Sequence, residues 1–115
     1  MQYREFGSTG VKVSRLGFGA MRLPRNEKKA VEVLRRAIEL GVNYIDTAPG
    51  YLDGDSEKFV GRAIRDCRDK VILATKNPIK DASGENWLRR LDASLKRMGV
   101  DYIDFYHMWS ISWQV

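Results

Sequence analysis

Regular alternation of extended apolar segments with amphipathic helices is the feature that most limits how this sequence can fold. The extended segments are predicted at 16–20, 42–46, 71–75 and 102–108. The helices between them begin near Asn26, near Asp55 or Ser56, and near Ser83, which are residue types that cap helix N-termini. Strands that alternate with helices of this length are typical of parallel sheets with crossover helices. The sequence therefore predicts an α/β fold with four parallel strands and three complete crossovers.

Each predicted helix carries apolar residues at helical spacing, which indicates one buried face per helix. These residues are Ala30, Val31, Leu34 and Ile38 in the first helix, Phe59, Val60, Ala63, Ile64 and Cys67 in the second, and Leu88, Leu91, Leu95 and Met98 in the third. Gly41 and Gly99 follow the first and third helices and predict their ends.

The N-terminal residues predict a β-hairpin. Residues 3–6 and 11–13 flank a Gly-Ser-Thr-Gly turn. A ribbon this short is marginal alone, so we expect it to lie against a larger element.

Length and composition limit the class of protein. A chain of 115 residues is one domain at most, whereas a complete (β/α)8 barrel typically needs ~250 residues. No apolar run approaches the ~20 residues of a membrane span, and the first residues lack the apolar core of a signal peptide. The single Cys67 is expected to be a buried or half-buried thiol in a reducing compartment. The alternative is a reactive or regulatory role. We therefore expect a cytoplasmic protein without membrane partners.

The net charge of +5 raises the question of nucleic-acid binding. The basic residues fall on polar helix faces and are interleaved with glutamate and aspartate, for example Arg35 and Arg36 between Glu32 and Glu39. Solvated helix surfaces account for this pattern, so no nucleic-acid partner is predicted.

Three polar side chains are predicted at or just past the ends of strands. Asp46 ends one apolar run, Tyr51 follows five residues later, and Lys76 ends the next run. Catalytic residues occupy such positions in (β/α)8 barrels, and strand periodicity places Asp46 and Lys76 on one face. The alternative is a structural ion pair at the rim of a sheet, with Tyr51 a surface aromatic residue.

Several linked motifs resemble the aldo-keto reductases, over most of the chain and with that family's spacing. They are Leu16-Gly-Phe-Gly19, Gly41 with Asp46-Thr-Ala and Tyr51, Ser56-Glu57 with Gly61, Lys76 at a strand end, and the segment 95–106. The opening of the chain looks most like a microbial subfamily that often carries an added iron–sulfur domain. A chain with one cysteine cannot build such a cluster, and no metal site is predicted.

The resemblance implies the N-terminal half of a (β/α)8 TIM barrel. On this interpretation residues 1–14 form a hairpin that plugs the bottom of the barrel, and residues 15–115 supply its first four strands. The chain stops at Val115, where a fourth helix is expected, so the segment Ser110 to Val115 looks like a continuation cut short and the domain is predicted to be truncated.

The resemblance also implies the chemistry. Members of the family move a hydride between NADPH or NADH and a carbonyl compound. Tyr51 would be the general acid, Lys76 would favour its phenolate by positive charge, and Asp46 would orient Lys76. Gly19, Ala20 and Met21, together with Asp46, match positions that touch the nicotinamide end of the cofactor, whereas the phosphate-binding half of the family domain is not in this chain.

One member of the family's catalytic set is replaced. The position of its usual histidine is Trp109, which would shape the substrate pocket, and the only histidine is His107, two residues earlier. His107 shares a strand face with Trp109 but lies about 6–7 Å deeper. It is either catalytic, if the strand end bulges, or a polar residue packed inside the barrel.

Four strands of a barrel leave two open edges. The inward residues Ile72, Ala74, Phe105, His107 and Trp109 are expected to face water. Self-association or a missing C-terminal half would cover them. Two functions remain: a reductase acting on a small carbonyl substrate, and a non-catalytic or truncated relative that folds by association with a second chain.

Overall fold

The strands form two separate sheets in the computed structural model, which describes residues 1–111. Strands β1 (Tyr3–Glu5) and β2 (Lys12–Ser14) pair antiparallel as the predicted hairpin. The second sheet contains, in this order, β3 (Phe18–Gly19), β4 (Tyr44–Asp46), β5 (Ile72–Pro78) and β6 (Phe105–Trp109). All its neighbouring strands are parallel, which confirms the predicted fold class. The predicted continuation over 112–115 lies outside the described residues.

Three helices cross over between these parallel strands, namely α1 (Glu27–Glu39), α2 (Asp55–Ile64) and α3 (Gly84–Met98). The side chain of Asn26 accepts a hydrogen bond from the Lys29 amide at 3.0 Å, and Ser83 caps α3 in the same way. Gly99, with φ of +65°, ends α3 in the left-handed conformation that glycine adopts without strain. The caps predicted for α1 and α3 are therefore confirmed. Helix α2 begins at Asp55 as predicted, but its N-cap is Gly54 and no side chain caps it.

The core lies between the outer face of the sheet and the first two helices. Fully buried side chains come from α1 and α2 and from the central strands, and include Leu34, Val60, Ile64, Ile45 and Leu73. Removing such surface from water stabilises the fold by roughly 25 cal/mol per Å². The predicted stripes of α1 and α2 are confirmed by this packing.

The predicted stripe of α3 is wrong at its N-terminal end. Leu88 is 59% exposed, whereas Ser94 and Met98 are buried. Helix α3 turns the Ser94–Met98 side toward α2, so closely that a Cβ at Gly61 would overlap the Met98 carbonyl. No other element among the described residues covers Leu88.

The hairpin covers the N-terminal end of the parallel strands. The Phe6 ring lies 4.8 Å from the ring of Phe105 and 6.1 Å from that of Tyr44. The expectation that the whole inner face meets water is therefore wrong at Ala74, which is completely buried beside Phe105. Ile72 and Phe105 are half-buried, and His107 and Trp109 are exposed as expected.

Candidate active site

Asp46 and Lys76 meet at the C-terminal end of the sheet. Ala74 is the residue of β5 in register with Asp46, so Lys76 lies two residues further along and on the same face. The Lys76 Nζ atom donates to Asp46 Oδ2 at 2.5 Å and to the Thr47 carbonyl oxygen at 2.8 Å. Both side chains are largely shielded from solvent, which strengthens their attraction relative to a surface pair.

Tyr51 lies beside this ion pair and presents its ring to it. The Lys76 Nζ atom is 4.7 Å from the centre of the Tyr51 ring, within the range of a cation–π interaction. Among residues 1–111 the hydrogen bonds of Lys76 go to Asp46 and Thr47, not to the Tyr51 hydroxyl. The structure thus brings all three predicted residues together, with the lysine over the ring of the tyrosine.

The loop after Tyr51 has an unusual backbone. Leu52 and Asp53 have φ values of 52° and 54°, and Gly54 follows with 99°. Non-glycine residues in this left-handed region cost of order 1–3 kcal/mol each, so such conformations persist only where the surroundings hold them. Leu52 packs against the core cluster, and Asp53 pairs with Arg25 at 2.9 Å. The Leu52 contact holds the loop that carries Tyr51, whereas the exposed Arg25–Asp53 pair adds little.

A buried chain of hydroxyl groups links the neighbouring loops. Ser56 Oγ donates to the Ala20 carbonyl oxygen at 2.8 Å, and Thr47 Oγ1 lies 2.9 Å from Ser56 Oγ. Because the single proton of Ser56 is used, Thr47 is the donor to Ser56. The ends of β3 and β4 are in this way tied to the start of α2.

Glu57 is a fully buried carboxylate whose place sequence reasoning missed. It accepts hydrogen bonds from Thr75 Oγ1 at 2.8 Å and from Arg97 Nε at 2.6 Å. Its spacing of three and seven residues from Val60 and Ile64 is the signal that could have placed it on the buried side of α2. This network fixes Thr75, the strand residue that directly precedes Lys76.

Trp109, and not His107, is the residue of β6 that meets Tyr51. The Trp109 and Tyr51 rings lie edge to face with centres 6.3 Å apart, and Trp109 is 38% exposed. His107 is in register with Lys76, and its Nε2 atom lies 3.4 Å from the Tyr44 hydroxyl oxygen. The pairing of β6 with β5 is continuous from Phe105 to Trp109, so no bulge lifts His107 toward the strand end.

Tyr44 is the residue whose hydroxyl group contacts His107. Burial raises the pKa of the Tyr44 phenol, and the negative charge of Asp46 raises it further. The phenol is therefore held in its neutral form beside His107.

The residues predicted to touch the nicotinamide end lie next to Asp46. Gly19 is in register with Asp46, and a Cβ atom at Gly19 would meet nothing within 4 Å. Ala20 is buried by the Ser56 contact, whereas Met21 is exposed. Open space therefore lies beside the Gly19 backbone at the C-terminal end of β3.

None of the helices in the described part of the chain has the length and apolar character needed to cross a membrane.

Comparison with known proteins shows one family throughout. The sequence model of the Aldo/keto reductase family matches residues 15–113. Aldo-keto reductase YhdN of Bacillus subtilis is 36% identical over 94% of this chain and 38% of its own length. The chain thus spans about two fifths of the length of this curated relative.

Solved structures of the same family superpose closely. The holo form of aldo-keto reductase AKR11C1 from Bacillus halodurans matches with a TM-score of 0.83 and 37% identity, over 94% of this chain and 40% of that one. An aldo/keto reductase from Klebsiella pneumoniae, solved in complex with NADP and acetate, matches with a TM-score of 0.78 and 35% identity, over 84% of this chain and 35% of that one.

Proposed function

Because this chain belongs to the aldo/keto reductase family, we propose that it supplies the acid–base end of a site for NAD(P)H-dependent reduction of an aldehyde or ketone. The observation that carries the proposal is the position of Lys76. Its ammonium group is bonded to Asp46 at 2.5 Å and lies 4.7 Å from the centre of the Tyr51 ring. The ammonium group is thus fixed beside the ring of the proposed general acid.

The three residues have separate roles in the proposed reaction. The Tyr51 hydroxyl gives its proton to the carbonyl oxygen of the substrate, Lys76 stabilises the phenolate left behind, and Asp46 keeps Lys76 in place. Bound NAD(P)H supplies the hydride that the carbonyl carbon receives, so the product is an alcohol. Trp109 forms an apolar wall against Tyr51 where relatives carry a histidine, which favours substrates with apolar or aromatic groups next to the carbonyl.

Residues 19–21 and Asp46 would hold the nicotinamide end of the cofactor. Gly19 lies in register with Asp46 and has open space at its Cβ position, Ala20 is buried, and the Met21 side chain is exposed. We propose that either NADPH or NADH is used. A solved relative that contains NADP supports the phosphorylated form.

A second candidate function is that of a non-catalytic relative that folds by association with another chain. One observation favours it. His107 lies against the Tyr44 hydroxyl, and Trp109 occupies the place beside Tyr51 where the family resemblance leads us to expect a histidine.

We further propose a cytoplasmic location, because Cys67 is a half-buried free thiol.

Cofactor titration followed by a turnover assay separates the two candidates. NADPH is added to the chain while the fluorescence of its three tryptophans is recorded, and 4-nitrobenzaldehyde is then supplied. Saturable quenching and NADPH oxidation, both measured again in Tyr51→Phe, test the reductase. We expect turnover to be lost in Tyr51→Phe while quenching is kept.

The matched control is Tyr102→Phe, since Tyr102 is also half-exposed and keeps its ring against Arg68 in that variant. Equal turnover in Tyr51→Phe and the unsubstituted chain would contradict the proposed role of Tyr51. Absence of quenching up to millimolar NADPH would favour the non-catalytic relative.

A further inference from the structure

The groove between α2 and the end of α3 contains a cavity of about 320 Å³ whose charged lining is entirely basic. Five basic side chains and no carboxylate of the described residues line it, and the basic residues are Lys58, Arg62, Arg65, Lys96 and Arg97. We propose that this cavity binds the phosphate group of a small phosphate ester. The cavity shares no residue with the cluster of Asp46, Lys76 and Tyr51, so the inference does not depend on the catalytic proposal.

Helical periodicity brings the basic residues together. Lys58, Arg62 and Arg65 follow one another at spacings of four and three residues, which places them on one face of α2 and its C-cap. Lys96 and Arg97 lie in the last turn of α3. Because α2 and α3 pack side by side, the two groups of cations meet across the groove.

The acidic residues next to these cations in the sequence make their contacts elsewhere. Glu57 is fully buried, where it accepts hydrogen bonds from Thr75 and Arg97. Asp66 lies 3.9 Å from Arg35 of α1. Charges that alternate along the sequence are therefore separated by the fold, and the cavity receives the positive ones.

Both walls of the cavity belong to neighbouring helices that are already in contact. Gly61 of α2 and Met98 of α3 line it, and they pack so closely that a Cβ atom at Gly61 would overlap the Met98 carbonyl group. Helix α2 leads into β5 and α3 leads out of it, and β5 pairs with a strand on each side. The cavity is thus formed independently of the two edges of the sheet.

The charge left over in the cavity matches one phosphate group. Three of the five cations have a carboxylate partner: Lys58 with Asp55, Arg62 with Glu27, and Arg97 with Glu57. Arg65 and Lys96 form no ion pair with any of residues 1–111. Two positive charges therefore remain, and a phosphate monoester carries about −1.5 to −2 near pH 7.

Arg97 supplies donors that are fixed in place. Its Nε atom donates to Glu57 Oε2 at 2.6 Å, and its Nη2 atom donates to Ser94 Oγ at 3.2 Å. These bonds use two of the five N–H groups of the guanidinium, and its side chain is 32% exposed. A guanidinium held in this way presents a rigid planar fork, the geometry that suits phosphate oxygens.

The size of the cavity favours a small ester over the free ion. Its volume lies at the lower end of the range of about 300–1,000 Å³ for small-molecule sites, which leaves room for a short organic group beside the phosphate. Basic residues near helix C-termini also stabilise the helix dipoles. That alternative predicts an effect of these residues on stability and no saturable binding of phosphate.

Isothermal titration calorimetry with glycerol 3-phosphate, in buffer containing 0.15 M NaCl to screen non-specific attraction, tests the proposal. We expect saturable binding of one ligand per chain, weaker binding of inorganic phosphate, and none of glycerol. The double variant Arg65→Gln/Lys96→Gln should raise the Kd for glycerol 3-phosphate by about tenfold or more, because two charged donors to the phosphate are lost. Arg97 is kept, since its removal would leave Glu57 buried without its cation.

The matched control is Lys28→Gln/Lys29→Gln, which removes the same charge from two exposed positions of α1. Its Kd should stay within about twofold of that of the unsubstituted chain, and circular dichroism checks that both double variants keep their helices. Absence of saturable binding, or an equal rise in Kd in the two double variants, would overturn the proposal. Tighter binding of inorganic phosphate than of glycerol 3-phosphate would overturn the assignment to an ester.

Discussion

Lys76 donates to Asp46 at 2.5 Å from a position two residues beyond the point where their strands are in register. The offset places the ammonium group above the end of β4, where it also reaches the Thr47 carbonyl oxygen. Both hydrogen-bond acceptors of Lys76 thus lie at the end of β4. The Tyr51 ring is the third neighbour of the ammonium group, with its centre 4.7 Å from the Lys76 Nζ atom.

Lys76→Met should lower turnover of 4-nitrobenzaldehyde by about 10²- to 10³-fold, the range for loss of one group that stabilises developing negative charge. The loss follows because the Tyr51 phenolate would have no cation beside it. Steady-state kinetics with NADPH measure the effect. Lys80→Met, at an exposed position of the following loop, should retain turnover. Equal rates in the two variants would exclude a role for Lys76.

Trp109→His should increase turnover by about tenfold, because it places a polar donor beside Tyr51 where the family resemblance leads us to expect a histidine. The edge contact between Trp109 and Tyr51 shows that this position faces the cluster. His107→Phe, at the position bonded to Tyr44, should change turnover less than twofold. A loss of turnover in His107→Phe, with no gain in Trp109→His, would reverse the assignment of the two β6 positions.

Glu57→Gln should lower the free energy of unfolding by about 2–3 kcal/mol, because Arg97 and Thr75 would lose their buried charged acceptor. The side chain keeps its size, so the effect reports charge and hydrogen bonding and not a cavity. Urea denaturation followed by circular dichroism measures it. Glu85→Gln, on the exposed first turn of α3, should change stability by less than ~0.5 kcal/mol.

Because of Tyr44, we expect the folded chain to lose stability in alkaline solution. Its pKa in the folded chain is raised above the ordinary value of 10.0 by burial and by Asp46. As pH rises past about 10, the unfolded chain loses this proton first, which lowers the free energy of unfolding. Urea midpoints at pH 8 and pH 11 measure the decline.

Tyr44→Phe should make the alkaline decline shallower, since one of the two phenols whose pKa is raised by burial is removed; the other is that of Tyr106. A decline as steep in Tyr44→Phe as in the unsubstituted chain would show that Tyr44 does not contribute.

The sequence by itself determined the order of the elements and the end of β4 at Asp46, whereas β5 continues past Lys76 to Pro78. Helix caps such as Asn26 and Ser83 and the helix-ending Gly99 act within a few residues, so their signals are complete in the local sequence. The two-residue period of a strand likewise fixes which side chains share a face.

Only the tertiary structure decided how distant elements meet. Glu57 is buried because α2 packs against Thr75 of β5 and Arg97 of α3, and helical periodicity alone does not assign such partners to a charged residue. Trp109 lies beside Tyr51 and His107 beside Tyr44 because continuous pairing with β5 sets the height of β6. These contacts join residues far apart in the chain, and their geometry depends on packing that no local pattern records.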